Sequence, residues 1–312
     1  MAQFLAKRLM FMLFSAVGAT VVIFTLSRMA QDPRELFVPD SGYGISDEAW
    51  EELGNRLGFD KPVVVQYFLW IGRMLKGDFG ESLSMQLPVG GIIRQRMGAT
   101  LQLALGGWIF AVIVGVPIGV LASTKRGQFW DYIGRGFALL GQALPQFLVG
   151  IILISIFAVG LDVLPVGTRS PTFNIKDYIL PSVTLGWLPA AGIMRLTRSA
   201  MLEILDSEYI KLARAKGVSA TKVIWKHAFR NALIPPLTSA LLLMAGFLNG
   251  AVVVESIFAW PGVGWVALFR AVYDNDFPLL LGSVFFFLVI YLAFALIADV
   301  LYAFIDPRIR YS

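Results

Sequence analysis

Six long stretches of this chain run free of Asp, Glu, Lys and Arg: residues 9–27, 97–124, 136–161, 178–194, 231–254 and 277–298. A helix needs about 20 apolar residues to cross a hydrocarbon core, so the pattern predicts six transmembrane helices joined by polar loops. The fourth run is the weakest, with 17 uncharged residues and two prolines, Pro181 and Pro189. It must borrow from its flanks or be kinked by its neighbours. Pro117 and Pro145 stand inside the second and third runs and are further places where a kink is expected.

The polar segments differ in size and charge. Residues 28–96 form an insert too long to be a connector, carrying eight basic and ten acidic residues. Within it, SDEAWEELGNRLG reads as a helix that starts near Ser46, with Trp50, Leu53 and Leu57 on one face and Gly58 at its end. A second helix follows Pro62 through VVVQYFLWIGRML, placing Val64, Tyr67, Phe68 and Ile71 at helical spacing, and GDFGES then supplies a turn. The chain therefore divides into an N-terminal segment with the first span (1–27), the insert (28–96) and a core (97–312) that contains a polar loop at 195–230.

Lys7 and Arg8 precede the first span, the 125–135 loop has three basic residues against Asp131, and the 195–230 loop has eight against three acids. These alternate loops are assigned to the cytoplasm, and with them both termini, Arg308 and Arg310 closing the chain. The opposite loops agree: 162–177 is balanced, and 255–276 sets Arg270 against three acids. The first apolar run, 19 residues, exceeds the roughly 7–15 of a signal-peptide core and reads as a retained span.

Composition sharpens this. The 312 residues are 57% hydrophobic and 15% charged, too apolar for a single soluble core. There is no Cys and a single His, His227, which excludes thiolate chemistry and argues against a histidine metal site or a catalytic triad. The formal charge of +5 sits beside apolar spans rather than in a basic domain, so no nucleic-acid partner is expected; the partner of the spans is membrane lipid. Catalytic and metal-ligating residues are expected to be none. Asp299, near the end of the sixth run, is the clearest acid in an apolar stretch and is read as structural, close enough to the interface to reach it.

The most informative polar stretch is SEYIKLARAKGVSATKVIWKHAFRNALIPPL, residues 207–237. It predicts a short helix ended by Gly217, then a second helix that Ser219 caps and Pro235 and Pro236 follow. In the first helix Tyr209, Leu212, Ala213 and Lys216 fall along one side and Lys211 with Arg214 along another, while Ala213 and Ala215 leave room for a partner's backbone. Beyond the fifth run, Glu255 and the FAWPGVGW stretch form a Pro-Gly turn at Pro261 and Gly262 flanked by Trp260 and Trp265, suited to an interfacial corner with the indoles at headgroup level.

The EYIKLARAKG and HAFRNALIP segments resemble the cytoplasmic EAA loop of ATP-binding-cassette importer permeases, in the form found in the dipeptide, oligopeptide, glutathione and nickel group. The likeness continues in order along the chain: DKPVVVQY, GDFGES, ATLQLAL, YILPSVTLG, VVVESIFAWPGVG and DVLYAFIDPRIRY. Two departures are local. Ala30, Gln31, Asp32 and Pro33 stand where the family usually has Pro-Gly-Asp-Pro, and Leu212 replaces the first Ala of the general loop pattern.

That resemblance implies an all-α polytopic protein of the type I importer permease fold, acting as the first permease subunit. It implies a second, different permease subunit, two ATP-binding subunits and an extracytoplasmic solute-binding protein as partners. ATP and Mg would be bound by the ATP-binding subunits; this chain has no G-x-x-x-x-G-K-[ST] phosphate loop. Glu208, Tyr209, Lys211, Leu212, Ala213, Arg214, Ala215, Lys216 and Gly217 would then form the coupling helix seated on an ATP-binding subunit. Glu255, Trp260, Pro261 and Gly262 would form an extracytoplasmic corner, gate or docking surface. The alternative, a secondary transporter driven by an ion gradient, predicts inverted repeats and ionisable groups at mid-span, neither of which is seen. An intramembrane enzyme would need a nucleophile with its base, paired acids or a metal set within the spans.

Overall fold

The computed structural model describes residues 2–30, 46, 51–52, 54, 60–167, 169–170 and 172–305. Trp50, Leu53, Leu57 and Gly58 of the first insert helix, Gln31, Asp32 and Pro33, and the closing Arg308 and Arg310 lie outside the described residues. The described residues form helices α1 (Ala2–Ala30), α2 (Val63–Leu75), α3 (Val89–Thr124) and α4 (Phe129–Ala143), followed by α5 (Gln146–Gly160) and α6 (Ile175–Leu205). The remainder are α7 (Glu208–Ala215), α8 (Ala220–Ala232), α9 (Ile234–Ile257), α10 (Arg270–Tyr273) and α11 (Phe277–Ile305).

Four helices are individually long and apolar enough to cross a membrane: the Ala6–Met29 part of α1, α3, α6 and the Phe277–Leu301 part of α11. Two bent pairs, α4 with α5 at 109° and α8 with α9 at 46°, bring the candidate crossings to six. The third run is thus not one straight helix. It breaks where Leu144 turns extended and Pro145, which lacks an N–H, starts a new helix. The weak fourth run does borrow from both flanks, since α6 extends to 31 residues and runs unbroken through Pro181 and Pro189, and α3 likewise continues through Pro117. α3 starts at Val89, within the segment read as insert.

The chain divides into two compact units, Met1–Gly98 with Gly262–Leu292, and Ala99–Pro261 with Ala293–Ser312. In the first, Phe24, Trp70, Met74 and Leu281 are buried together, with Tyr67, Ile71, Phe79 and Phe285 packed around them. α2 therefore buries its Tyr67–Trp70–Ile71–Met74 side; Val64 and Phe68, expected on the same face as Tyr67, point outward. The GDFGES turn forms at Gly77 and Gly80, both with positive φ, and its continuation is latched to α11. Ser82 and Ser84 donate hydroxyl hydrogen bonds to Asp276, whose other oxygen accepts from the Leu279 amide and so caps α11.

In the second unit α6 is the central helix, and small residues set its spacing. Gly107, Gly115 and Gly119, spaced at multiples of four along α3, form one seam against α6. A methyl added at Gly115 would lie 2.7 Å from the Ala190 carbonyl oxygen, and one at Gly119 the same distance from that of Met194. Gly134 and Gly141 of α4 meet Met194 and Ala191 on another side of α6. Without a hydrophobic drive between helices in lipid, such close backbone approach is the main source of packing energy.

The α4–α5 pair follows α6 along its length. Asp131 bonds Arg198 at one end, Gln146 reaches the Leu185 carbonyl at the break, and in the loop after α5 the Ser170 amide donates to Asp177.

Candidate functional site

The polar loop after α6 folds as the residue pattern predicts, with one reassignment of faces. α7 turns Ile210 (0% exposed) and Ala213 inward, and leaves Tyr209 (50%) and Leu212 (57%) exposed among Glu208, Lys211, Arg214, Ala215 and Lys216. Ala213 therefore packs inside its own chain; Ala215, on the other side, stays exposed. The reason is the i, i+3 spacing of Ile210 and Ala213, the apolar pair that meets the protein.

Gly217 ends α7 with φ +75°, where a residue with a Cβ is strained. Its amide bonds the Arg214 carbonyl, and the next amide, Val218, reaches back to Ala213. That pair of bonds is a Schellman closure, and Val218 tucks into the apolar cluster beneath the helix. Ser207 and Ser219 occupy the cap positions of α7 and α8, but neither side chain makes a capping bond; Ser207 Oγ donates backward to the Ile204 carbonyl instead.

Beneath α7 lies a single core of Val120 from α3, Ala200 and Met201 from α6, Ile210, and Val223, Ala228 and Ala232 from α8. α7 thus shares side-chain contacts with the ends of two membrane helices. One further tie holds it: Tyr209 Oη and His227 Nδ1 lie 2.6 Å apart, joining α7 to α8. Lys211 pairs with Glu208 at 2.7 Å within α7 itself. Nearby, Asp131 of α4 accepts forked bonds from both Arg198 and Arg135. Arg126 pairs across 3.2 Å with Asp206, the residue that ends α6. Neither arginine clamp was read from the sequence. The signal was there only as unlike charges in two loops assigned to the same side.

The second predicted set lies at the other end of α3, about 30 Å away over the 20 residues from Thr100 to Val120. Glu255 is buried and accepts a 2.7 Å bond from the Thr100 hydroxyl. Trp260 is wholly buried. Its indole N–H donates to the Ala99 carbonyl at 3.0 Å and its ring meets Tyr178 edge-on at 4.9 Å. The backbone before it bends through Ala259, whose φ is +47°. Trp265 is half-buried and stacks on Phe269. Pro261 closes one compact unit and the buried Gly262 opens the other. Asp299 is buried. Among the described residues no cluster of His, Cys, Asp and Glu could hold a metal ion.

Comparison with known proteins agrees with this geometry. A family model described as the binding-protein-dependent transport system inner membrane component matches residues 115–311. The oligopeptide transport system permease protein AppB of Bacillus subtilis (strain 168) is 37% identical over 320 residues, covering 100% of both chains. The dipeptide transport system permease protein DppB of Escherichia coli (strain K12) is 36% identical over 342 residues, again covering 100% of both. Among solved structures, the inward-facing MetNI methionine ABC transporter superposes with a TM-score of 0.57. That match covers 69% of this chain and 96% of the other at 16% identity, a likeness of fold alone.

Proposed function

This chain belongs to the binding-protein-dependent transport system inner membrane component family, and on that premise we propose that it is half of the pathway of an importer for di- or oligopeptides. It is a multi-pass permease subunit of the ABC type, not an enzyme and not a secondary transporter. Its partners in this reading are a second, different permease subunit, two ATP-binding subunits that hold ATP and Mg, and an extracytoplasmic binding protein that delivers the solute. Both termini and the 195–230 loop face the cytoplasm, and residues 28–96 lie on the opposite side. The relatives named for oligopeptides and dipeptides support the peptide class; glutathione or nickel are the other solutes of the group that the motifs resemble.

The observation that carries the reading is the two-sidedness of α7. Its inner side carries Ile210, which is fused into a core shared with α3 and α6, and the buried Ala213, while Tyr209 and Leu212 stand exposed on a short helix ringed with charge. Large apolar groups exposed in a cytoplasmic loop suit a cleft on another protein. A push on α7 passes into α3 and α6 because close-packed interiors transmit displacement rather than absorb it. Gly217 fixes the angle at which α7 leaves α8, so the helix moves as a rigid piece. Glu255 and Trp260 serve at the far end as a buried brace that holds α9 to the start of α3 through Thr100 and Ala99.

The test is purification of the tagged chain with the subunits of its own system, followed by ATP hydrolysis in lipid with and without binding protein and peptide. Recovery of ATP-binding subunits and hydrolysis stimulated by loaded binding protein are expected. A chain recovered without them, or hydrolysis indifferent to peptide, overturns the proposal.

A further inference from the structure

We propose that α2, although it belongs to the segment between the first two spans, is sunk into the hydrocarbon of the membrane and wears lipid acyl chains on its outward face. α2 touches two neighbouring spans. Tyr67 shares a 2.9 Å hydrogen bond with Thr20, and Tyr67 and Trp70 pack on Phe24. Thr20 and Phe24 stand nine and five residues inside the Met29 end of the first span, about 14 and 8 Å along a helix. On the last span Trp70 meets Phe285 edge-on, and Leu281 belongs to the same cluster. These two lie eight and four residues inside Phe277, about 12 and 6 Å. Two independent spans thus place α2 at the same depth, well below the ends of both.

Composition fits that depth. Residues 62–72 carry no charge, and the charged residues Asp60, Lys61, Arg73 and Lys76 stand at the ends of the helix. At 13 residues, α2 is about 20 Å long, too short to cross a core of about 30 Å. Its outward face is Val63, Val64, Val65, Phe68, Leu69 and Leu75, with Val64 and Phe68 each 66% exposed and Leu75 75% exposed. In water such a face would be an unpartnered apolar patch; at this depth it is an ordinary lipid-facing surface.

The same layer continues sideways into an open cavity of about 350 Å³ between α1 and the start of α11, walled by Ile23, Leu26, Leu280 and Val284. Ser27 and Asn275 supply polar groups in its wall. An apolar trough with a few polar groups, at the depth of an outer acyl segment, accommodates a chain rather than a headgroup. The occupant we assign to the face of α2 and to this trough is therefore phospholipid.

The proposal rests on the topology given above only for which leaflet is meant. Because the chain has no Cys, single cysteines are introduced by V64C, F68C and L75C, with E81C as the aqueous reference, on partner subunits freed of reactive cysteine. The assembled transporter is spin-labelled in vesicles of phosphatidylethanolamine and phosphatidylglycerol, and collision with oxygen is compared with collision with a water-soluble nickel chelate. At Val64 and Phe68 the oxygen-to-chelate ratio should exceed that at Glu81 several-fold, whichever of the variants are recovered in assembled form. A ratio equal to that at Glu81 would place α2 in water, and low collision with both reagents would show a protein partner covering it; either result overturns the assignment. Modification of E81C by an impermeant maleimide only from the cytoplasmic side would overturn the topology while leaving the depth reading intact.

Discussion

Arg198 of α6 grips both carboxylate oxygens of Asp131 on α4, Nε to Oδ1 at 2.8 Å and Nη2 to Oδ2 at 3.1 Å, in a pocket where the carboxylate is 1% exposed. Arg135 takes the same two oxygens from the other side but is itself 55% exposed, against 19% for Arg198. Breaking a buried pair by removing one partner costs roughly 3–5 kcal/mol, since the remaining charge is stranded, while an exposed partner is worth about 0–1 kcal/mol. Asp131→Ala and Arg198→Ala should each lower the melting temperature of the purified complex markedly, and Arg135→Ala only slightly. Equal losses from the two arginine variants would contradict this.

Gly217 sits at φ +75° with nothing within 4 Å of the position a Cβ would take. The penalty for a side chain there is purely conformational, about 1–2 kcal/mol for ordinary residues and least for Asn. Gly217→Asn should transport nearly as well as the parent. Gly217→Val, β-branched, should reach the membrane in normal amount but uncouple hydrolysis from uptake. Full peptide uptake by the valine variant would show that the turn does not set the angle of α7.

Leu212 and Ala213 are neighbours with opposite tasks. Leu212→Asp, on the exposed side, should leave melting unchanged and abolish recovery of ATP-binding subunits. Ala213→Asp places a carboxylate at a buried position on the inner side of α7 and should lower stability by several kcal/mol before any partner is added. Measuring melting and subunit recovery on both variants separates the two. A stable Ala213→Asp protein that merely fails to bind would return Ala213 to the partner surface.

A glycine pair tests the α3–α6 seam. At Gly186 an added methyl would collide with the Gly107 carbonyl oxygen, whereas at Gly192 on the same helix nothing lies within 4 Å. Gly186→Ala should sharply reduce the yield of folded protein; Gly192→Ala should be neutral or stabilise by up to about 1 kcal/mol through helix propensity. Similar yields for both would mean that α3 and α6 are not held at glycine distance.

Much of this architecture was legible because hydrocarbon imposes a simple length rule, and because Gly217 marks a backbone requirement that few other residues meet. What escaped was direction. Val64 and Phe68 share helical spacing with Tyr67 and Ile71 yet point outward, because a helix that is apolar all round has no polar side to orient it. The partner of the Trp260 indole, the Ala99 carbonyl, lies 161 residues away in sequence and leaves no local trace. The break at Pro145 was foreseen as a kink, yet nothing local in the sequence gives its angle of 109°. Asp276 carried a signal that went unread, an acid directly before α11 with Pro278 in its first turn.

The glycine seam also sets what kind of motion this protein can make. Backbones in contact at Gly107, Gly115, Gly119 and Gly186 are keyed together like the teeth of a closed zip, and sliding α3 by one residue, about 1.5 Å, would drive side chains into carbonyl oxygens. α3 and α6 must therefore swing as one blade. Bends already present at Leu144–Pro145 and at Leu233 interrupt the helical ladder and are places where flexing costs less. A transport cycle built on this chain is a matter of pivots, not of pistons.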